Sequence, residues 1–389
     1  MPAIKRQTQI ELLAQAGLSA AELYDELTDG RTRSLRLEEL LYRAAERVPG
    51  LVPTRAEMDV ERQRALADKH GLELAQGLLL AEILGAPRAG RHLIEAMLRP
   101  TTEALNRLEE FRVTGVADLG PVCVTRTGRA AVLELSNADH LNAEDGSTLG
   151  PTESGVDLIL LDPATEVGVI RGGLVDHPRH AGERVFGSGI NLTHLYRGQI
   201  DFLFYLTRDL GYVNKIYRGV LSGEDTIEKL WVAAVERFAI GGACQLLHVV
   251  DHVIATRGSA LYLPARKEGI IPGASNLRLP RFVGDRAARQ AILSGREWTA
   301  GEADATLLCD EVVAPEQMDR ALEARLEALT SSGVVSAAAN RCALRVGQEP
   351  LDLFREYMAT YSREQAFCHL SPALVHNLEL HWNAHRRSV

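Results

Sequence analysis

The segments Arg184–Leu195, RVFGSGINLTHL, and Glu236–Ala255, ERFAIGGACQLLHVVDHVIA, decide how this chain is read. In each, small residues follow a strand-like run and lead into a helix. Backbone N–H groups at such a junction have no partner inside the helix, so they can converge on one external oxygen atom. Two of them aimed at the same carbonyl oxygen form an oxyanion hole.

Outward from these loops the pattern alternates. Val167–Ile170 reads as a strand before the first loop, and Leu230–Val235 as a strand before the second. Between them Asp201–Ser222 has the apolar spacing of one long helix. Upstream, PVCVTRTGRAAVLELSN gives two strands joined by a turn at Thr127-Gly128, followed by a helix over about Ser154–Leu161. Downstream, SALYLPA reads as a further strand. Strands alternating with helices predict an α/β domain of stacked ββα units. Residues 1–115 are helical by their three-to-four spacing, interrupted at Pro49–Pro53 and Pro87, and carry no catalytic constellation. They read as a packing or oligomerisation module. The chain is helical again from about Ala314, with a polar break at Ser331–Gly333. The expected organisation is an N-terminal helical domain (1–115), an α/β domain (116–320) and a C-terminal helical region (321–389).

Composition narrows the function classes. The 389 residues are 46% hydrophobic and 24% charged, as in an ordinary soluble domain, and the net charge is −9. That balance argues against a dedicated partner among nucleic acids or anionic membranes. The five cysteines (Cys123, Cys244, Cys309, Cys342, Cys368) are scattered without CxxC spacing, which suggests neither a disulfide framework nor a zinc cluster. The start, MPAIKRQTQIELL, has no apolar signal segment, and no apolar run is long enough to span a membrane. A cytoplasmic protein is expected. Neither a dinucleotide fingerprint nor a P-loop is present.

Five stretches in register resemble the crotonase (enoyl-CoA hydratase/isomerase) superfamily, over roughly Pro121–Met318. SNADHLNAED (Ser136–Asp145) is similar to the family's N-x-x-x-x-N-A turn, VFGSGINL to F-x-x-G-x-D-L, and IGGACQL to G-G-G-x-E-L, with Asp251 at the family's C-D position. EGIIPGASNLRLPRFVG (Glu268–Gly284) and LSGREWTAGEADATLLCDEVV (Leu293–Val313) resemble the two stretches that follow. The resemblance implies a spiral of ββα units, a coenzyme A thioester as substrate, and a homo-trimer or dimer of trimers. It makes Ile190 and Gly242 the oxyanion-hole residues through their backbone N–H groups. A preorganised donor of this kind stabilises a transition state by roughly 2.7–4 kcal/mol.

The departures point to a different chemistry. Hydratases of the family place two glutamates over the substrate; the matching positions here are Gln245 and Ala265. A neutral amide is no general base at pH 7 and alanine offers nothing, so hydration is disfavoured. Asn191 replaces the usual Asp, and Arg237 stands where glycine is common. Leu192, Ala265 and Ile270 are expected to line an apolar pocket suited to a small apolar reactant such as O2, which a stabilised carbanion can reduce without metal or flavin. The run FGSGINLTHLYRGQIDFLFYLTRDLGYVNKIYRG, Gln245 and the N-terminal helices are similar to the cofactor-independent arylacetyl-CoA dioxygenases of antibiotic biosynthesis. This resemblance implies 3,5-dihydroxyphenylacetyl-CoA and O2 as substrates, with no metal, flavin or haem.

On this reading Glu144 and Arg208 are the candidates for binding the ring hydroxyls, Arg208 being otherwise a surface helix residue. Gln245 orients the thioester or peroxide. His248 and His252, four apart with Asp251 between them, have metal-ligand spacing but no third ligand, so no metal is expected. His177 and His180 are expected to face solvent, and Cys244 to be a small buried residue. The alternatives are another crotonase-type enzyme (thioesterase, decarboxylase or isomerase) or a non-catalytic acyl-CoA-binding subunit.

Overall fold

The computed structural model describes residues 2–387. Twelve strands form three sheets. They are β1 (Val116–Asp118), β2 (Val122–Thr127), β3 (Ala130–Leu135), β4 (Val167–Gly172), β5 (Val220–Ser222), β6 (Asp225–Ile227), β7 (Leu230–Val235), β8 (Phe238–Ile240), β9 (His252–Thr256), β10 (Ala260–Tyr262), β11 (Glu297–Thr299) and β12 (Glu311–Val313). The main sheet runs β1-β2-β3-β4-β7-β9-β12, antiparallel from β1 to β3 and parallel from β3 onward. A second sheet is formed by β11-β10-β8, so the later turns of the spiral, β7–β8, β9–β10 and β11–β12, each contribute one strand to either sheet. β5 and β6 make a separate hairpin.

The central parallel strand β7 is apolar throughout, as a strand covered on both faces must be. Every residue of β7 is buried, and its Trp231 lies opposite Gly168 of β4. A Cβ at Gly168 would come within 2.5 Å of the Trp231 ring, so glycine there makes room for the indole.

The helices Pro2–Gln15, Ala20–Leu27, Leu37–Arg47, Glu73–Gly85 and Pro87–Leu98 gather around a second core with residues 195–210 and the helices Leu351–His369 and Pro372–Trp382, whereas the helix Thr102–Thr114 sets Ala104 and Phe111 into the core of the α/β unit. The helices Glu73–Gly85 and Leu351–His369 lie against each other at Gly77, where a Cβ would meet the Ala366 Cβ at 2.5 Å.

Two helix expectations need correction. The helix expected over Ser154–Leu161 begins at Gly146, capped by Asp145, and continues through Pro151. A proline so near the N-terminus forfeits one helical hydrogen bond, which burial of the following turns outweighs. The single helix expected over Asp201–Ser222 is two, Phe202–Leu210 and Tyr212–Arg218, followed by β5. The break falls at Gly211, whose φ, ψ of −86°, −116° lie outside the helical region.

The C-terminal helices are fastened to the α/β unit by charge. Glu349 is fully buried and paired with Arg218 at 2.9 Å, Arg278 at 3.0 Å and Arg281 at 2.8 Å. Burial opposes ionisation, but the arginines prevail and hold the carboxyl down to about 2. A depressed carboxyl contributes its stability above its ordinary pKa and loses it as pH falls through the folded value. Glu349 should therefore contribute about 3 kcal/mol at neutral pH, lost between about pH 4.5 and 2. In denaturant titrations across that range, the acid limb of the stability profile should be shallower for E349Q than for the natural chain.

Candidate active site

The two glycine loops meet at β8. Phe238 accepts from the Gly187 N–H at 3.3 Å, and the Ile240 N–H donates to Gly187 at 3.1 Å, so the first loop is zipped along the strand that leads into the second. Gly189 has φ +84° and Gly241 φ +53°, left-handed values that favour glycine. A Cβ at Gly189 would lie 2.8 Å from Ile240 O and 3.0 Å from Gly242 N, so the close approach of the loops also requires glycine. The backbone of Glu144 clamps the turn: its N–H donates to Gly189 O at 2.7 Å and its carbonyl accepts from Asn191 N–H at 2.8 Å. That brackets Ile190, whose N–H has no acceptor among the described residues. Gly242 opens the helix Gly242–Leu246, and its N–H is likewise uncommitted. These two uncommitted donors stand on touching loops, the place from which the sequence reading expects an oxyanion hole.

Arg208 gathers the remaining candidates. It is buried, with both Glu144 carboxylate oxygens on its guanidinium. It also donates to Gln245 Oε1 at 2.9 Å, to Asp209 Oδ1 at 3.1 Å and to the Gly242 carbonyl at 2.7 Å. Arg208 is therefore not a surface residue. Burial alone would lower the guanidinium pKa, but Glu144 and its other neighbours hold it well above the ordinary value. Gln245 in turn depends on Gly273 (φ +47°), where a Cβ would collide with its Oε1.

The enclosed space beside these groups measures about 30 Å³, the scale of one small molecule. Ala265 and Ile270 line it, together with Ile190. Leu192 does not; it lies on the adjoining open groove of about 910 Å³ with Ser188 and Tyr262. An aryl ring is larger than the enclosed space, so its entry requires side chains to separate.

One carboxyl escaped the sequence reading. Glu268, at the end of the short helix Ala265–Glu268, lines both the enclosed pocket and the groove. Its Oε1 lies 3.7 Å from where a Gly241 Cβ would stand. The signal was its position one helical turn beyond Ala265, which brings it back to the same side.

The other singled-out residues have structural work. His248 bonds Ser275 at 3.0 Å, and burial pushes its pKa down to about 3. Asp251 pairs with Arg341 at 2.7 Å and accepts from Trp231 N–H. Among the described residues no group of three or more His, Cys, Asp or Glu is arranged to hold a metal ion. Asn191 caps the helix Leu192–Tyr196, and Arg237 pairs with Glu183. Cys244 is buried, which pushes its thiol up to about 12. His177 and His180, expected to face solvent, are half-buried on the groove beside Phe238. No described helix is long and apolar enough to cross a membrane.

The ββα spiral is a fold that this chain shares with solved structures. A carnitinyl-CoA hydratase from Mycobacterium avium superposes with a TM-score of 0.56 over 69% of this chain and 97% of that one, at 24% identity. An enoyl-CoA hydratase/isomerase from Xanthobacter autotrophicus Py2 gives 0.57 over 69% and 99%, at 19% identity. At these identities the likeness speaks for the fold. Residues 180–359 match the enoyl-CoA hydratase/isomerase family. A (3,5-dihydroxyphenyl)acetyl-CoA 1,2-dioxygenase from Amycolatopsis orientalis is 52% identical over 352 residues, 89% of this chain and 80% of the relative. A crotonyl-CoA hydratase from Syntrophomonas wolfei is 26% identical over 59% of this chain and 82% of its own length. The chain belongs to the enoyl-CoA hydratase/isomerase, or crotonase, family.

Proposed function

We propose that the chain is a (3,5-dihydroxyphenyl)acetyl-CoA 1,2-dioxygenase, an oxidoreductase acting on an arylacetyl-CoA thioester and O2. The observation that carries the reading is the 52% identity, which spans 89% of the chain where the hydratase match stops at 59%. So long a match takes in most of the N-terminal helices as well as the α/β unit. The site supports it. The oxyanion turn is intact, while the hydratase acid/base positions hold Gln245 and Ala265.

In this reading the thioester oxygen accepts from the Ile190 and Gly242 N–H groups, and these donors stabilise the enolate formed when an α-proton leaves. Glu144 and Arg208 bind the ring hydroxyls as an acceptor and donor pair. O2 reacts beside Ala265 and Ile270, the apolar part of a pocket whose wall also carries charged and polar groups, and Gln245 orients the resulting peroxide. The peroxide attacks the thioester carbonyl, and collapse releases coenzyme A and 3,5-dihydroxyphenylglyoxylate. The groove, with Arg179, Arg386 and Arg387 on its rim, suits the coenzyme A phosphates. The proposal includes catalysis without metal, flavin or haem, a cytoplasmic location that suits five unpaired cysteines, and a homo-trimer or dimer of trimers.

Chelator-treated protein given 3,5-dihydroxyphenylacetyl-CoA should consume O2 and release free thiol in equal amounts. Thiol release without oxygen loss would make it a thioesterase, and oxygen uptake restored only by an added metal would remove the cofactor-free part.

A further inference from the structure

We propose that Glu268 is the general base that removes the α-proton of the thioester, an assignment that rests on the dioxygenase reading of the site. Three carboxyl groups line the enclosed pocket, Glu144, Asp209 and Glu268. Both oxygens of Glu144 are held by Arg208. Asp209 is held by Arg208 and Tyr361. Lone pairs engaged by a guanidinium or a phenol are not free to take a proton from a substrate, although burial still raises the Asp209 carboxyl above its ordinary value. Glu268 differs: its carboxyl has no hydrogen bond or ion pair among the described residues, although the residue is only 5% exposed. Tyr205 and Tyr361, also on the pocket wall, are driven by burial well above the ordinary phenol range and are no bases at neutral pH.

Position supports the assignment. The Gly241-Gly242 turn has a carboxyl group on each side. A Cβ at Gly242 would stand 3.3 Å from Glu144 Oε2, and one at Gly241 would stand 3.7 Å from Glu268 Oε1. A thioester whose oxygen meets the Gly242 N–H carries its α-carbon one bond beyond the carbonyl carbon, beside this turn. With the ring on the Glu144–Arg208 side, the α-hydrogens fall to the Glu268 side. Burial, unopposed by any partner, pushes this carboxyl up to about 8, where it can both take and return a proton near neutral pH. Glu268 also borders the groove, which gives the proton a way out.

The proton balance needs such a group twice. Glu268 takes the first α-proton, and the C–H pair becomes the enolate. That pair forms the C–O bond to O2, giving a peroxide anion. The peroxide displaces the coenzyme A thiolate, which takes the proton from Glu268. The regenerated carboxylate removes the second α-proton; its C–H pair forms the ketone while the O–O bond breaks and its electrons remain on the new carboxylate. The sum is ArCH2CO–SCoA plus O2 giving ArCOCOO⁻, CoASH and one proton, with no further reactant.

The test separates this step from oxygen chemistry. The natural protein, E268Q and E268A are incubated under nitrogen in D2O with 3,5-dihydroxyphenylacetyl-CoA, and α-deuteration is followed by mass spectrometry. Oxygen uptake is measured separately in air. E268Q, a neutral isostere, should slow exchange and uptake together by roughly 10²–10⁴-fold with little change in KM, and added formate should restore part of the exchange in E268A. E268Q exchanging at the natural rate overturns the proposal, as does a loss in E268A that formate leaves untouched in folded protein. Exchange by the natural protein with no oxygen uptake overturns the dioxygenase reading alone; the comparison with E268Q still decides the base.

Discussion

Arg208→Ala is expected to cost the chain both its activity and a large part of its stability. The buried guanidinium makes five hydrogen bonds to four protein partners: Glu144 through both oxygens, Asp209, Gln245 and the Gly242 carbonyl. Removing it leaves Glu144 and Asp209 buried without their counter-charge. Breaking a buried pair from one side costs about 3–5 kcal/mol, against a total stability on the order of 5–15 kcal/mol for a folded domain. The catalytic loss has a second origin. Arg208 braces the carbonyl of Gly242, whose N–H is an oxyanion donor, and a displacement on the order of 1 Å at such a donor costs about 10²-fold in rate. Arg208→Lys should fall between, because one ammonium cannot reproduce the planar fork that meets both oxygens of Glu144. Denaturant midpoints and kcat/KM on R208A, R208K, E144Q and the E144Q/R208A pair test this. The double variant should be more stable than R208A, because it no longer holds an orphaned carboxylate. Equal stability of R208A and the natural chain would defeat the account.

How much of this was readable beforehand depended on whether the determinant was local. The two glycine loops were readable because their requirements are local: a left-handed φ at 189 and 241, and a close backbone approach at 189, leave glycine there. The α/β alternation was readable for the same reason, since apolar runs such as Leu230–Val235 announce a covered strand. Arg208 was ambiguous because helical spacing does not say whether a cation is buried; its partner Glu144 lies 64 residues away. Glu268 was hidden by the resemblance itself. The matched register put the second acid/base position at Ala265, so a carboxyl one turn later on a helix only four residues long carried no expectation. Leu192 was expected with Ala265 and Ile270 on one apolar pocket, yet it opens a helix and lies on the groove instead. The break at Gly211 was missed because a single glycine within a helical pattern is often tolerated.

Gly189→Ala should separate binding from catalysis. Two penalties fall on the new methyl group. The φ of +84° is a left-handed value, which costs an L side chain about 1–2 kcal/mol. The Cβ would also stand 2.8 Å from Ile240 O and 3.0 Å from Gly242 N. Both are backbone atoms, so neither can swing aside as a side-chain tip would. The two loops must part, and the N–H groups of Ile190 and Gly242 cease to converge on one point. Losing an oxyanion donor lowers kcat by about 10²–10³-fold, whereas the grip on the ring and on coenzyme A is made elsewhere, so KM should move far less. The two penalties can be distinguished with Gly128→Ala. Gly128 has φ +60° in the turn between β2 and β3, with nothing within 4 Å of its Cβ position. That variant should lose a comparable 1–2 kcal/mol from its backbone alone and keep its kcat. If Gly189→Ala loses stability but keeps its turnover, the convergence of the two loops is not what stabilises the enolate. If turnover falls while KM and the Gly128→Ala control hold, the close contact at Gly189 is what aims the two donors.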